Sequence, residues 1–91
     1  MNVSIAKAFG RDLRRLSKSD SVDAIVALEL FLENPKAREL NFERVRSKDG
    51  YFTIRANYSS RILLRRLALD HYEAVAVGNH DYVYASYFKK R

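Results

Sequence analysis

Apolar and polar positions change their spacing along this chain, and each change marks a predicted element. Val3 and Ile5 alternate with Asn2 and Ser4, the period of a short strand. Phe9, Leu13 and Leu16 then fall at i, i+4 and i+7, with Arg11, Arg14, Arg15 and Lys18 facing elsewhere, which predicts an amphipathic helix with a basic outer side. Ser17-Lys18-Ser19 ends it. A second helix opens at Asp20 and Ser21, both N-cap types, with Asp23 in the first turn where the helix dipole favours a carboxylate. Its stripe reads Val22, Ile25, Leu28 and Leu32, thickened by Val26 and Phe31. Asn34-Pro35 stops it, because proline disfavours the α conformation of the residue before it and cannot continue the backbone ladder.

Two helical stripes need a flat apolar partner, and the second half of the chain supplies one. Leu40, Phe42 and Val45 pin a charged connector to the core, and Asp49-Gly50 signals a turn. Phe52, Ile54 and Ala56 alternate with Tyr51, Thr53, Arg55 and Asn57 as in a half-buried strand. After a turn over Asn57 to Ser60, Arg61 to Ala68 forms the next strand, with Ile62 and Leu64 inward and Leu63 and Leu67 on a partly covered opposite face. Leu69 to Tyr72 turns again, leaving His71 as a surface residue. Glu73 to Val77 is almost uncharged, as expected of a central strand covered on both sides, and Gly78 ends it. The closing segment from His80 to Arg91 is either a short helix packing Tyr84 and Phe88 inward or an irregular tail. The expected fold class is α+β, with residues 1–91 as one domain.

Composition narrows the picture. The chain has 91 residues, 47% of them hydrophobic, enough for one modest core. It has no cysteine, so no disulfide framework and no cysteine-based zinc site holds it together, and a reducing cytoplasm is the expected home. The opening residues do not read as a secretory signal, and no stretch approaches the roughly 20 apolar residues that span a bilayer. Charge is more informative. The net +6 lies wholly between Arg44 and Arg66, where Arg44, Arg46, Lys48, Arg55, Arg61, Arg65 and Arg66 face Asp49 alone. Guanidinium forks bind phosphate oxygens in bidentate fashion, so this local excess suits a nucleic acid. A solvated face or a surface for an acidic protein is the plainer alternative.

The polar side of the predicted meander carries Arg55 and Arg61 near Gly78-Asn79-His80. At this point the sequence resembles the RelE/ParE superfamily of bacterial toxins. The likeness runs through Phe9-x-x-x-Leu13-x-x-Leu16, Asn34-Pro35, Leu40-Asn41-Phe42-Glu43, Tyr51-Phe52-Thr53-Ile54-Arg55, Ser60-Arg61-Ile62-Leu63 and Ala76-Val77-Gly78-Asn79-His80-Asp81-Tyr82-Val83-Tyr84. No single piece is a strong motif; their order and spacing carry the resemblance. It implies a two-helix hairpin packed on an antiparallel sheet, and the toxin of a type II toxin–antitoxin system, held by a cognate antitoxin. It implies one of two targets, mRNA on the ribosome cleaved by a metal-independent endonuclease without cofactor, or DNA gyrase. A relative that binds without catalysis is the third possibility.

On the ribonuclease reading, the 2′-hydroxyl attacks the neighbouring phosphate, and the protein aligns that phosphate, neutralises its charge and moves a proton. The resemblance places Arg61 at a phosphate-binding position, Arg55 at a second basic one, His80 at the position of a proton donor, and Tyr84 where a tyrosine orients the substrate or stacks on a base. Arg65, Arg44, Arg46 and Lys48 complete the expected nucleic-acid surface. Each has a structural alternative: Arg61 a solvated strand start or a partner of Asp81, Arg55 a cross-strand neighbour, His80 a turn residue held through Asp81, Tyr84 a core residue spaced for Phe88. Arg65 and Arg66 point to opposite faces, so one of them is structural. Thr53 departs from the pattern, since the most active members of the family often add a further basic residue there.

Overall fold

The computed structural model describes residues 1–89; the part of the closing segment at Lys90 and Arg91 lies outside them. In chain order the elements are β1 (Asn2–Ile5), α1 (Lys7–Arg15), α2 (Lys18–Glu33), a 3-10 turn (Arg38–Leu40), β2 (Glu43–Arg44), β3 (Tyr51–Arg55), β4 (Arg61–Ala68), β5 (His71–Gly78), a π-helical turn (Tyr82–Ser86) and α3 (Tyr87–Lys89). The strands form one sheet in the order β1-β5-β4-β3-β2. β3, β4 and β5 make the expected antiparallel meander. The opening strand joins its edge parallel to β5, with Val3 opposite Tyr72, so the sheet is mixed. β2, too short for periodicity to show, extends the other edge.

The helical hairpin covers one sheet face. Phe9, Ala24, Ala27, Leu28 and Phe31 pack there on Ile54, Ile62, Leu64, Tyr72, Ala74 and Val77. The second helix starts earlier than Asp20: Ser17 is its N-cap, accepting from the Asp20 backbone N–H at 3.0 Å. Its buried face is also rotated from the expected one. Ala24 and Ala27 let the helix approach the sheet closely, and Phe31 enters an aromatic cluster, 5.4 Å from both Phe42 and Tyr72. Val22, Ile25, Val26 and Leu32 consequently stand exposed.

On the opposite face Leu63, Val75, Ala76 and Val45 are covered by Val83 and Tyr87 of the closing segment. That segment is helical, but Val83 and Tyr87 point inward, while Tyr84 and Phe88 flank them half-buried. A bulge makes this second layer possible. Leu63 pairs with Ala76 and Leu64 with Ala74, which leaves Val75 as the extra residue and places Val75 and Ala76 on the same side. β5 begins at His71, whose Nε2 lies 2.6 Å from Ser4 Oγ, so His71 links two strands and is no free turn residue. Leu67, beyond the reach of the closing segment, is exposed.

Candidate nucleic-acid interface

The β3–β4 register sets Arg55 directly opposite Arg61, and the β4–β5 register sets Arg61 opposite Gly78. Directly opposed like charges destabilise a sheet. Among the described residues no carboxylate lies within ion-pair distance of either arginine; Glu73 pairs with Arg65, and Asp81 lies beside His80. Two guanidinium groups are thus held side by side on adjacent strands without a carboxylate partner.

Arg61 is fixed by the turn preceding it. Its Nη1 donates to the backbone carbonyls of Asn57 at 2.9 Å, Ser60 at 3.2 Å and Tyr58 at 3.3 Å. Among the described residues nothing in the protein accepts from Nε or Nη2, so that edge of the fork remains for a ligand. Arg55 is exposed beside it.

His80 follows the end of β5, and its position is built by several contacts. Asn79 Oδ1 accepts from the Tyr82 backbone N–H at 2.9 Å, and the Val83 N–H reaches the Asn79 carbonyl at 3.1 Å, which opens the π-helical turn. Gly78 lets the Tyr82 ring approach closely: a Cβ would lie 2.7 Å from Tyr82 Cδ2. The His80 ring lies 4.3 Å from the Tyr84 ring, centroid to centroid, at an interplanar angle of 30°. Tyr84 in turn shares a 2.7 Å hydrogen bond with the buried Thr53 hydroxyl. The position lacking an extra basic residue thus anchors the ring on which His80 rests. Asp81, 3.4 Å from His80 Nδ1, is a weak and solvent-facing neighbour.

A cleft of about 530 Å³ joins these groups, lined by Asn41, Glu43, Arg44, Val45, Arg46, Ser47, Arg55, Arg61, His80 and Tyr84. Asn41 turns the chain into it with a left-handed backbone (φ 45°), and donates at 2.8 Å to Glu43. Of the residues expected from sequence, Arg44, Arg46, Arg55, Arg61, His80 and Tyr84 therefore meet in one place. Arg65 and Lys48 do not line it. Arg65 is bound to Glu73 at 3.0 Å, a hydrogen bond that holds its guanidinium above the ordinary range, and Lys48 Nζ sits 5.4 Å from the Phe88 ring centre.

Sequence reasoning missed Asp12. It is buried at 6% exposure inside a basic helix, accepting from the Val77 N–H at 3.2 Å and the Tyr82 hydroxyl at 2.9 Å. It ties α1 to the π-helical turn that follows His80. The signal was available: Asp12 is the lone acid among Lys7, Arg11, Arg14 and Arg15. A second missed feature is a groove of about 570 Å³ between α1 and α2, lined by Leu13, Leu16, Val22, Ile25 and Val26 with Arg14 and Lys18 at its rim.

No family model matches the sequence, and no curated protein matches it either. Solved structures do. The fold matches YafQ from E. coli with a TM-score of 0.73 at 14% identity, covering 91% of this chain and 97% of that one. It matches a chain of the RelB–RelE antitoxin–toxin complex from Methanococcus jannaschii with a TM-score of 0.68 at 17% identity over 90% and 95%. A YoeB/ParE toxin from Agrobacterium tumefaciens gives 0.66 at 16% identity over 88% and 99%. The chain has the fold of RelE/ParE superfamily toxins, as the sequence resemblance implied.

Proposed function

We propose that this protein is the toxin of a toxin–antitoxin pair and cleaves mRNA on the ribosome. The observation that carries this reading is the cleft where the opposed, unneutralised Arg55 and Arg61 stand with His80 and Tyr84. A phosphate held on the free edge of Arg61 and on Arg55 has its negative charge neutralised as the 2′-oxygen attacks it. The P–O5′ bond breaks, the departing 5′-oxygen takes a proton from the protonated His80 ring, the 2′-hydroxyl proton passes to water, and a 2′,3′-cyclic phosphate remains. Tyr84 acts as an orienting group, its hydroxyl held by Thr53 and its ring by His80. Arg44 and Arg46 follow the neighbouring phosphates of the strand.

The antitoxin is proposed to lay an amphipathic acidic helix in the α1–α2 groove. The apolar floor of Val22, Ile25 and Val26 suits its inner face, and Arg14 and Lys18 at the rim suit its charges. No helix among the described residues is long and apolar enough to cross a membrane, so this face is not explained as a bilayer span.

Induced expression is the test. Growth arrest with new translation-dependent 5′ ends on mRNA, both relieved by Arg61→Ala and His80→Ala in folded protein, is the expected result. Arrest with intact mRNA and blocked gyrase supercoiling would replace this reading with a gyrase-directed one. Harmless expression of folded wild-type protein would remove both.

A further inference from the structure

Tyr58 stands at the tip of the β3–β4 turn with 97% of its surface exposed, while every other phenyl or phenol ring among the described residues is buried or half-buried. A ring left so open on a mobile loop would mean little. This turn, however, is fastened at several points. Asn57 Oδ1 accepts from the Ser59 N–H at 3.0 Å and the Ser60 N–H at 2.9 Å, and the Ala56 N–H reaches the Ser60 carbonyl at 3.0 Å. Asn57 Nδ2 donates to Asp20 and Asp23, each at 2.8 Å, which bolts the turn to α2. The Arg61 guanidinium closes it from the other side through the carbonyls of residues 57, 58 and 60.

The same guanidinium that holds the turn through one edge leaves its other edge for a phosphate. Tyr58 lies midway in sequence between Arg55 and Arg61, the opposed arginines of the cleft. A rigid turn, an open ring and adjacent phosphate-binding groups are the parts of a single-strand reader, in which phosphate contacts fix the backbone and an aromatic face receives an unstacked base.

We propose that Tyr58 is a stacking platform for a nucleobase next to the phosphate held by Arg55 and Arg61. This rests on the ribonuclease reading of the cleft. Ordering the turn in advance removes most of the entropy cost of presenting the ring, so affinity gained by stacking is retained. Stacking accepts any base, so the platform adds affinity and register with little sequence preference.

The chain contains no tryptophan, so Tyr58→Trp introduces a unique fluorophore at the platform. The probe is a single-stranded RNA oligonucleotide made non-cleavable by 2′-deoxy substitution, titrated against the full chain at several salt concentrations. The expected results are quenching of the Tyr58→Trp indole fluorescence on binding, a loss of about tenfold in affinity for Tyr58→Ala with the salt slope unchanged, and near-normal binding for Tyr58→Phe. Arg61→Ala should flatten the salt slope instead. Thermal melting checks that each variant is folded. Equal affinity of Tyr58→Ala and wild type, with the Arg61-dependent slope intact, would overturn the platform and leave the cleft reading standing. Absence of RNA binding by the wild type, together with intact mRNA on induced expression, would overturn both.

Discussion

Replacing Asp12 with alanine should destabilise this protein more than the removal of any surface charge. Two donors lose their acceptor. The Val77 N–H lies in a buried strand, and a buried donor without a partner costs about 1–3 kcal/mol. The Tyr82 hydroxyl belongs to a half-buried residue and regains water, so its share is the net value of one hydrogen bond, about 1 kcal/mol. The expected total is about 2–4 kcal/mol. A domain of this size has only about 5–15 kcal/mol to lose. In urea, with a slope of about 1–1.5 kcal/mol per molar, the midpoint should fall by roughly 2 M while the slope stays constant. Tyr82→Phe removes one of the two contacts and should lower stability by only about 1 kcal/mol. A midpoint for Asp12→Ala no lower than that of Tyr82→Phe would refute the assignment of Asp12 as the anchor of the closing segment.

Gly78→Ala drives a methyl group into the Tyr82 ring at 2.7 Å, and should cost about 1–3 kcal/mol and displace His80, read by denaturation and by growth arrest on expression. Thr53→Val deletes the hydroxyl that holds Tyr84; cleavage should fall while Thr53→Ser restores it, measured as rate on the same RNA. Val22→Ser with Val26→Ser should leave stability within about 0.5 kcal/mol and toxicity intact, yet weaken antitoxin binding in a titration, because both side chains are exposed on the folded chain. Arg65→Ala should leave the salt slope of RNA binding unchanged, since Glu73 already holds that group away from the cleft.

The meander was legible because Phe52 and Ile54 alternate with Tyr51, Thr53 and Arg55 over a run long enough for a period of two to show. The charge count pointed to the arginine-lined cleft for a similar reason: Arg44, Arg46, Arg55 and Arg61 are close in sequence as well as in space. The face of α2 was not legible. Valine and isoleucine outweigh alanine on any hydrophobic scale, yet close helix–sheet packing selected Ala24 and Ala27 and left Val22 and Ile25 outside. The bulge at Val75 has no local signature, because alanine and valine fit either side of it. Asp12 acts through Tyr82, 70 residues away, a contact that only the folded chain creates.

On the proposed function, the Arg55–Arg61–His80 cleft cuts RNA through the RNA's own 2′-hydroxyl. Wild-type protein on ribosomes programmed with a defined mRNA tests it most directly, comparing an all-ribose message with one carrying a single 2′-deoxy residue at the scissile position. The expected result is cleavage of the first to a 2′,3′-cyclic phosphate end, no cleavage of the second, and rates reduced about 100-fold by His80→Ala. Cleavage of the deoxy-substituted message at the same site, or an undiminished rate for the folded His80→Ala protein, would contradict it.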